Sequence, residues 1–431
     1  MNLSWKLFKK DLKDICIVGL PLVFNNFCSI GVNLADTLMA SAFGPKQLAA
    51  VALGSTVWIS LFLLGLGTLM AIGPSIAQHY GAGKYDEIEQ DMRQGFWLAL
   101  GVSFITVVIM RSFHPVYLWM GIDSEVSALA QGYLDGLSWG VLGAFLYHAL
   151  KQMNEGVGNT VPIMIVMLGV LPINIVINYC LMYGKFTSEP MGAPGCGLGS
   201  GLSFWLMYFL LYQYVRTSKK CRRFFSSAIP VAPNWISLKR LMRLGFPIGL
   251  SLFLQSSLFT SVALLMGSLG TQAIAAHQIV LNFSGLVFMF PLGLGMALTV
   301  CVGQSVGRGD LDSANRIGVT GIFVCLLISI VTAFLTWLFA AEIVGFYTVD
   351  ATLSDVAIKL LKVAAFLQVG DAVQTAAAFA LRGLKDTLIP MILNGLNYWG
   401  VGFVWAYLLG IVWEVGPVGI WLAITTSLCL A

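Results

Sequence analysis

The sequence predicts an all-α integral membrane protein of twelve transmembrane helices. Of its 431 residues, 58% are apolar and only 10% are charged. A soluble domain carries about 25% charged residues, because its surface faces water. Twelve apolar stretches, most of them about 20 residues or longer, match the length that a hydrocarbon core of roughly 30 Å requires. With a mean hydropathy of +0.84, most of the outer surface of this protein must face lipid.

A polar, basic segment at residues 216–236 divides the predicted helices into two sets of six. We therefore expect an amino-terminal lobe at residues 1–215 and a carboxy-terminal lobe at residues 237–431. The last stretch reaches Ala431 without a polar flank, which leaves open a truncation inside helix 12. Predicted helices 1 to 6 lie at 15–43, 50–75, 95–113, 125–153, 161–182 and 195–215, and helices 7 to 12 at 241–267, 273–300, 317–340, 354–381, 388–410 and 416–431.

The lysines and arginines predict how the helices are oriented in the membrane. If the amino terminus faces the cytoplasm, nineteen of the 24 basic residues fall in cytoplasmic segments and five on the outer side. The cytoplasmic loops of membrane proteins carry such an excess of basic residues. We therefore expect both termini in the cytoplasm, and this topology explains the basic charge without any nucleic-acid partner.

The two halves of the chain resemble each other when the first is shifted by 226 residues. Pro21 then matches Pro247, and the pattern QxxGxGxxD occurs at residues 78–86 and again at 304–312. Each half contains an even number of predicted helices, so both copies have the same orientation in the membrane. The sequence therefore predicts parallel repeats related by a pseudo-two-fold axis along the membrane normal, with a cleft between them.

The polar residues show no pattern typical of a resident cofactor or metal. The eight cysteines have no CxxC spacing and no histidine at metal-ligand spacing, so we interpret them as small packing residues. The glycines of the QxxGxGxxD loops follow no predicted strand, and helix-capping turns explain them better than a phosphate site. We expect no cofactor other than a transported ion.

Several stretches resemble the multidrug and toxic compound extrusion (MATE) family, and within it the NorM-type branch. They include VGLPLVFNNF and LADTLMA in predicted helix 1, AIAAHQIVLNF in helix 8, FLQVGDAVQ in helix 10 and LRGLKDTLIPM after it. Together, these stretches cover essentially the whole chain in the family's order. The resemblance implies a secondary exporter in the bacterial inner membrane that exchanges small organic cations or amphiphilic drugs for Na⁺ or H⁺ by alternating access. It also implies a monomer surrounded by membrane lipids.

Asp36, in the outer part of predicted helix 1, is one of two acidic residues that fall clearly inside a predicted helix. An ionisable side chain in that position costs about 2.5–3.5 kcal/mol on insertion scales, so it is a candidate functional residue. A proton gradient can protonate such a carboxylate, whereas a bound Na⁺ would keep it ionised. The resemblance implies an ion site in which Asp36 is joined by Asn174, Asn178 and Ser200 of helices 5 and 6.

Asp371 lies deep in predicted helix 10, with Gln368 and Gln374 one turn to either side. In the NorM-type branch, the matching aspartate joins an acidic residue of helix 7 in a cation site. Here that position is Gln255, so a Na⁺ site in this lobe is open to question. Gln255 still offers a carbonyl oxygen, and Asp371 could instead carry a proton or contact a cationic substrate.

Polar and aromatic residues of helices 7, 8, 10 and 11 are candidates for the wall of a substrate cleft. Aromatic side chains suit flat hydrophobic cations, and no lysine or arginine is expected deep in a helix, so the buried charges are predicted to be negative. We interpret His277 as a packed histidine and Asp135 as a wet residue near the outer surface. The cleft candidates are Phe259, Gln278, Asn282, Phe288, Gln374 and Asn394.

Three other functions fit a polytopic membrane protein less well. A lipid-linked oligosaccharide flippase would need cationic residues that face its cavity, and none is predicted. An intramembrane aspartyl enzyme would use Asp36 and Asp371 as a dyad, but its GxGD signature would need glycine where Gln368 stands. A channel is compatible with the composition, but a single pair of acidic residues is an unusual selectivity ring.

Overall fold

The computed structural model describes residues 5–185, 189–225 and 232–430, and this part of the chain is helical almost throughout, without a strand. Nine helices within these residues are long and apolar enough to cross a membrane. Three further helical segments, which are numbered α4, α10 and α12 below, complete a set of twelve. The all-α fold class is therefore confirmed. Residues 226–231 of the predicted linker lie outside the described residues.

Each predicted stretch overlaps one helical segment, but several segments extend further than predicted: α1 begins at Trp5 and α3 at Tyr85, each ten residues before the predicted start. The segments α2 and α4 are each interrupted, and α11 contains two stretches of π-helix, Leu396–Phe403 and Leu408–Val412. The twelve segments are α1 (Trp5–Phe43), α2 (Pro45–Leu69 and Ile72–Gly81), α3 (Tyr85–Arg111), α4 (Ser124–Ser138 and Val141–Gly156), α5 (Val161–Met182), α6 (Ala193–Thr217), α7 (Trp235–Ser268), α8 (Thr271–Gly307), α9 (Leu311–Leu338), α10 (Ala351–Gly383), α11 (Leu388–Val412) and α12 (Pro417–Leu430).

The glycines shared by the two halves lie at turns that only glycine adopts without strain. Gly44, between α1 and α2, has a φ of 136°, and Gly270, between α7 and α8, has a φ of 115°. In the two QxxGxGxxD loops, Gly83 and Gly309 have φ values of 72° and 77°. A residue with a Cβ is strained in this left-handed region. The repeated motif is therefore a repeated turn between helices.

Contacts between residues divide the chain into two compact units: residues 24–249 form one, and residues 1–23 together with 250–431 form the other. We call them the first unit and the second unit. The lobes expected at 1–215 and 237–431 remain a prediction about the duplicated sequence, and the compact units differ from them at α1 and α7. The first part of each of these helices belongs with the helices of the other repeat.

The first unit has a core in which aromatic side chains from three helices meet. Trp58 of α2 lies 4.9 Å from Phe62, centroid to centroid, and 5.8 Å from Phe204 of α6. Phe62 stacks on Phe145 of α4 at 5.8 Å. Each ring buries a large apolar surface and has a favoured geometry with its neighbours. This cluster ties α2, α4 and α6 together beside the polar site described below.

The second unit has a separate core of mainly aliphatic side chains. Leu258 and Val262 of α7 pack with Leu360 of α10, and all three are fully buried. Trp421 of α12, 1% exposed, belongs to the same cluster. Large apolar residues such as Phe334 of α9 are exposed instead, as a surface that faces lipid requires.

Candidate functional site

In the first unit, Asp36 is buried and both of its carboxylate oxygens accept hydrogen bonds. Asn178 of α5 donates its Nδ2 to Asp36 Oδ1 at 2.6 Å, and Ser200 of α6 donates its hydroxyl to Oδ2 at 3.1 Å. These three residues are predicted site residues, and the structure brings them together although they are far apart in the sequence. They meet because α1, α5 and α6 are neighbours in this unit.

A second layer of polar side chains continues this network. Asn174, one turn before Asn178 on α5, donates its Nδ2 to the Ser203 hydroxyl at 3.0 Å. Gly199 gives Asn178 the room it needs, because a Cβ at Gly199 would overlap with Asn178 Oδ1. Sequence reasoning missed Ser203 and Gly199. The signal that could have identified them is their position close to Ser200 on α6.

This arrangement suits a carboxylate that binds and releases a proton or a small cation. Asp36 is 8% exposed, and among the described residues it has no cationic side chain as an ion-pair partner. Burial of an unpaired carboxylate costs free energy, which a proton or a bound cation relieves. Asn178 Oδ1 is buried, has no hydrogen-bond partner in the described part of the chain and lies against Gly199, so rotation of this amide would bring an oxygen ligand to the carboxylate.

In the second unit, Asp371 of α10 lies at the wall of a small cavity. It is 8% exposed, and its Oδ1 has no hydrogen-bond partner among the described residues. Thr375 stands one turn further along α10. The cavity lies between α8, α9 and α10 and is lined by Asp371 with Ser284, Val287, Phe288, Phe290, Pro291, Ile328, Ser329, Thr332, Leu367 and Gln368.

Several oxygen atoms in this cavity are free to contact a ligand. Gln368 Oε1 and Ser284 Oγ are buried and, like Asp371 Oδ1, lack a hydrogen-bond partner in the described part of the chain. Gln368 uses its Nε2 in a long contact of 3.5 Å with Thr336 of α9. Carboxylate, amide and hydroxyl oxygens are typical ligands of small hard cations. Sequence reasoning missed Ser284, Ser329 and Thr332, which stand in apolar stretches without a distinguishing spacing.

Gln255 of α7 lies outside this cavity. Its side chain is half-buried, and it makes no hydrogen bond to Asp371 within the described residues. Its predicted role beside Asp371 therefore stays a prediction for which this geometry offers no contact.

Gln374 and Asn394 belong to a different polar cluster of the second unit. Gln374 Nε2 donates to Asn394 Oδ1 at 2.7 Å and to the Tyr398 hydroxyl at 2.6 Å. Asn394 in turn donates to Ser251 of α7 at 2.9 Å. These hydrogen bonds connect α7, α10 and α11. The predicted role of Gln374 and Asn394 in a substrate cleft stays a prediction.

The remaining cleft candidates are spread over α7 and α8. Phe288 lines the Asp371 cavity, whereas Phe259 packs against the core of the second unit. Gln278 and Asn282 are exposed one turn apart on α8. His277 is fully buried, with its ring 5.5 Å from that of Trp421.

The expectation that the buried charges are all negative needs a correction. Lys151 of α4 is 6% exposed, and its Nζ lies 3.7 Å from Glu155. Arg382 of α10 is 7% exposed and lies over the ring of Phe379 at 4.3 Å. Both stand close to a helix end, where neighbouring helices cover them, and this packing is not visible in a hydropathy pattern.

Comparison with known proteins identifies the family. The MatE family model matches residues 21–180 and 247–408. The chain belongs to the MatE family. It is 35% identical over 424 residues to the multidrug resistance protein MdtK of Proteus mirabilis, covering 97% of this chain and 93% of that protein. It is 33% identical over 435 residues to the probable multidrug resistance protein NorM of Pasteurella multocida, covering 100% of this chain and 94% of that protein.

The fold of the MatE chain is also that of solved MATE transporters. The crystal structure of a eukaryotic MATE transporter, AtDTX14, superposes with a TM-score of 0.88 at 19% identity, covering 98% of this chain and 94% of that one. The resemblance found in the sequence is therefore confirmed, and the twelve helices fit the MATE fold. The protein is an integral membrane transporter and not an enzyme, which removes the aspartyl-protease alternative.

Proposed function

We propose that this MatE protein exports organic cations and amphiphilic drugs from the cell, in exchange for Na⁺ or H⁺, by alternating access. The observation that carries the proposal is the pair of buried carboxylates, one in each compact unit, neither with a cationic partner among the described residues. The relatives MdtK and NorM are named multidrug resistance proteins, which supports a broad range of organic substrates.

The first coupling site in this proposal is centred on Asp36. A cation bound there has oxygens at hand from the carboxylate, from Asn174 and Asn178, and from the Ser200 hydroxyl. The amide of Asn178 would rotate so that Oδ1 faces the ion, because its Nδ2 now occupies one carboxylate oxygen. With a proton in place of the cation, the protonated carboxyl could donate to the same amide oxygen. Either ion neutralises the buried charge.

The second site in this proposal is the Asp371 cavity. Gln368 and Ser284 supply the further oxygens, and Phe288 supplies an aromatic wall. A small cation or the charged end of an organic cation would be held by the carboxylate, and the ring would contact its apolar part. This arrangement does not use Gln255. A carboxylate at that position, where the NorM-type branch has an acid, is therefore not required.

For the substrate path and the topology we keep the expectations derived from the sequence. Gln278, Asn282 and Phe259 are assigned to the path together with Gln374 and Asn394, and both termini are placed in the cytoplasm. The excess of lysines and arginines supports this orientation. The protein is proposed to act as a monomer among membrane lipids.

The test is efflux of ethidium from proteoliposomes, with a Na⁺ gradient and a proton gradient imposed separately. Asp36→Asn and Asp371→Asn should each abolish gradient-driven efflux. Asp135→Asn is the matched control, because Asp135 is exposed and its carboxylate accepts a hydrogen bond from Gln131, one turn earlier on the same helix. The gradient that drives efflux identifies the ion. Inserted protein that moves no ethidium under either gradient would refute drug export and favour a lipid flippase.

A further inference from the structure

The first parts of α1 and α7 have exchanged places between the repeats. Residues 5–23 of α1, here called arm 1, belong to the second unit, and residues 235–249 of α7, called arm 2, belong to the first unit. The two boundaries, after Val23 and after Gly249, are 226 residues apart, which is the offset of the sequence duplication. The exchange therefore occurs at the same position in both copies of the repeat.

The two arms pack on equivalent helices: arm 2 packs on α2, and arm 1 packs on α8, the second helix of the other repeat. Arm 2 crosses α2 so closely that a Cβ at Gly67 would overlap with the backbone of Gly249. Arm 1 crosses α8, where a Cβ at Gly293 would lie 2.5 Å from Val23 Cγ2. Gly67 and Gly293 correspond to each other at the repeat offset. Both arms thus rest on close glycine contacts, which provide dispersion contact but no directional bond.

An ion pair fixes each arm at a second point. In the second unit, Arg316 at the start of α9 donates its Nε to Asp11 of arm 1 at 2.7 Å. In the first unit, Arg240 of arm 2 pairs with Asp91 near the start of α3. The two pairs connect equivalent helices, but the charges are reversed: arm 1 carries the acid, and arm 2 carries the base.

These pairs differ from ordinary surface salt bridges, because the carboxylates are buried. The side chains of Asp11 and Asp91 are 2% and 1% exposed. His79 lies 3.2 Å from Asp91 on its other side, and Ser313 accepts a hydrogen bond from Arg316. A buried carboxylate that loses its partner is left as an uncompensated charge, which is strongly unfavourable. Each ion pair therefore opposes the separation of its arm from the helices on which the arm packs.

We propose that the pairs Asp11–Arg316 and Arg240–Asp91 are two cytoplasmic latches that hold the arms in one state of the transport cycle and release them in the other. The four residues are positioning residues, which act through the arms and not on the ion or substrate. Because α1 and α7 are continuous, each arm is joined by its own helix to the other compact unit. Movement of one repeat against the other then requires that the arms detach or that the helices bend.

The experiment that separates these two outcomes is a cross-link across one latch. Asp11→Cys and Arg316→Cys are combined in a chain whose eight native cysteines are replaced by serine or alanine, and the pair is bridged with a bismaleimide. If release is required, bridging abolishes ethidium efflux. If bridged protein transports as fast as unbridged protein, α1 bends instead, for example at Pro21, and the latch is refuted.

The matched control places the same reagent within one helix. Asp355 and Lys359 of α10 form an exposed ion pair one turn apart, at 2.7 Å. Bridging Asp355→Cys with Lys359→Cys should leave efflux unchanged. The inference rests on the proposed export function, yet the two fail separately: absence of efflux in the unmodified protein refutes export, whereas normal efflux after bridging refutes only the latch.

A second measurement, which needs no transport assay, tests whether the Asp11–Arg316 ion pair holds arm 1 in place. In the chain with its native cysteines, Asp11→Asn should increase hydrogen–deuterium exchange in residues 5–23 and leave residues 235–249 unchanged. The charge exchange Asp11→Arg with Arg316→Asp should return the exchange to the parent level, because arm 2 already uses this polarity. If the single variant has no effect on exchange, or if the double variant fails to restore it, the ion pair does not hold the arm.

Discussion

Asp36 and Asp371, the two buried carboxylates without an ion-pair partner among the described residues, have different surroundings. Asp36 gives both of its oxygens to protein donors, Asn178 and Ser200. Asp371 lines a cavity, and its Oδ1 has no hydrogen-bond partner within the described residues. The first is embedded in a hydrogen-bond network, and the second is open to a ligand. We therefore expect the carboxylate of the first unit to contribute to fold stability as well as to ion binding, and that of the second unit to contribute mainly to binding.

This difference makes it possible to separate the contribution of a carboxylate to folding stability from its contribution to ion or substrate binding. Where protein donors satisfy a carboxylate, its loss should affect both folding stability and transport. Where a carboxylate oxygen is unpartnered, its loss should affect binding with little effect on stability. The following predictions test that contrast, starting with the largest effect.

Replacement of Asn178 by leucine should have the largest effect. It removes the donor to Asp36 Oδ1, and a hydrogen bond to a charged group contributes about 1.5–3 kcal/mol. We expect a lower thermal midpoint in detergent together with loss of efflux. Asn33→Leu is the control, because Asn33 is exposed one turn before Asp36. A stable Asn178→Leu protein would show that the network does not support the fold.

Asp371→Asn should abolish efflux without loss of stability. The variant removes a buried charge whose Oδ1 has no partner among the residues that the structure describes, so the free energy of unfolding should fall by less than about 1 kcal/mol or rise. Thermal unfolding and ethidium efflux, measured on the same preparation, check this. If Asp371→Asn destabilises the protein as much as Asn178→Leu does, the contrast between the two carboxylates is wrong.

Ser284→Ala should have an intermediate effect that is confined to binding. Ser284 lines the cavity, and its buried hydroxyl has no partner in the described part of the chain, so its loss should weaken cation binding by about 0.5–1.5 kcal/mol, roughly two- to tenfold in affinity. Isothermal titration with Na⁺ or with an organic cation measures the change. Ser257→Ala is the control, since that hydroxyl bonds to the backbone of its own helix at Leu254. Equal affinities for both variants would exclude Ser284 from the site.

Gln255→Ala should have the smallest effect. Gln255 is half-buried and outside the Asp371 cavity, so efflux should change by less than about twofold, as expected of a side chain without a specific partner. A large loss of efflux would place Gln255 in the coupling site after all. Initial efflux rates under the effective gradient are sufficient for this comparison.

Much of the fold follows from local properties of the chain. A transmembrane helix satisfies its own backbone and needs only a run of apolar residues, so length and composition locate it. The duplication was visible because the same turns need glycine in both halves, as at Gly44 and Gly270. The two acidic residues were found because a charge in an apolar stretch is rare.

The sequence by itself thus determined the membrane class, the approximate positions of the helices, the repeat and the two acids inside apolar stretches, Asp36 and Asp371. Only the tertiary structure decided what surrounds each acid, because Asn178 and Asp36 are 142 residues apart and no local pattern reports such a contact. It also decided that Gln255 does not line the Asp371 cavity, that Lys151 and Arg382 are buried, and that the arms of α1 and α7 are exchanged. Each of these depends on which helices are neighbours, and helix neighbours are chosen by packing over long distances in the sequence.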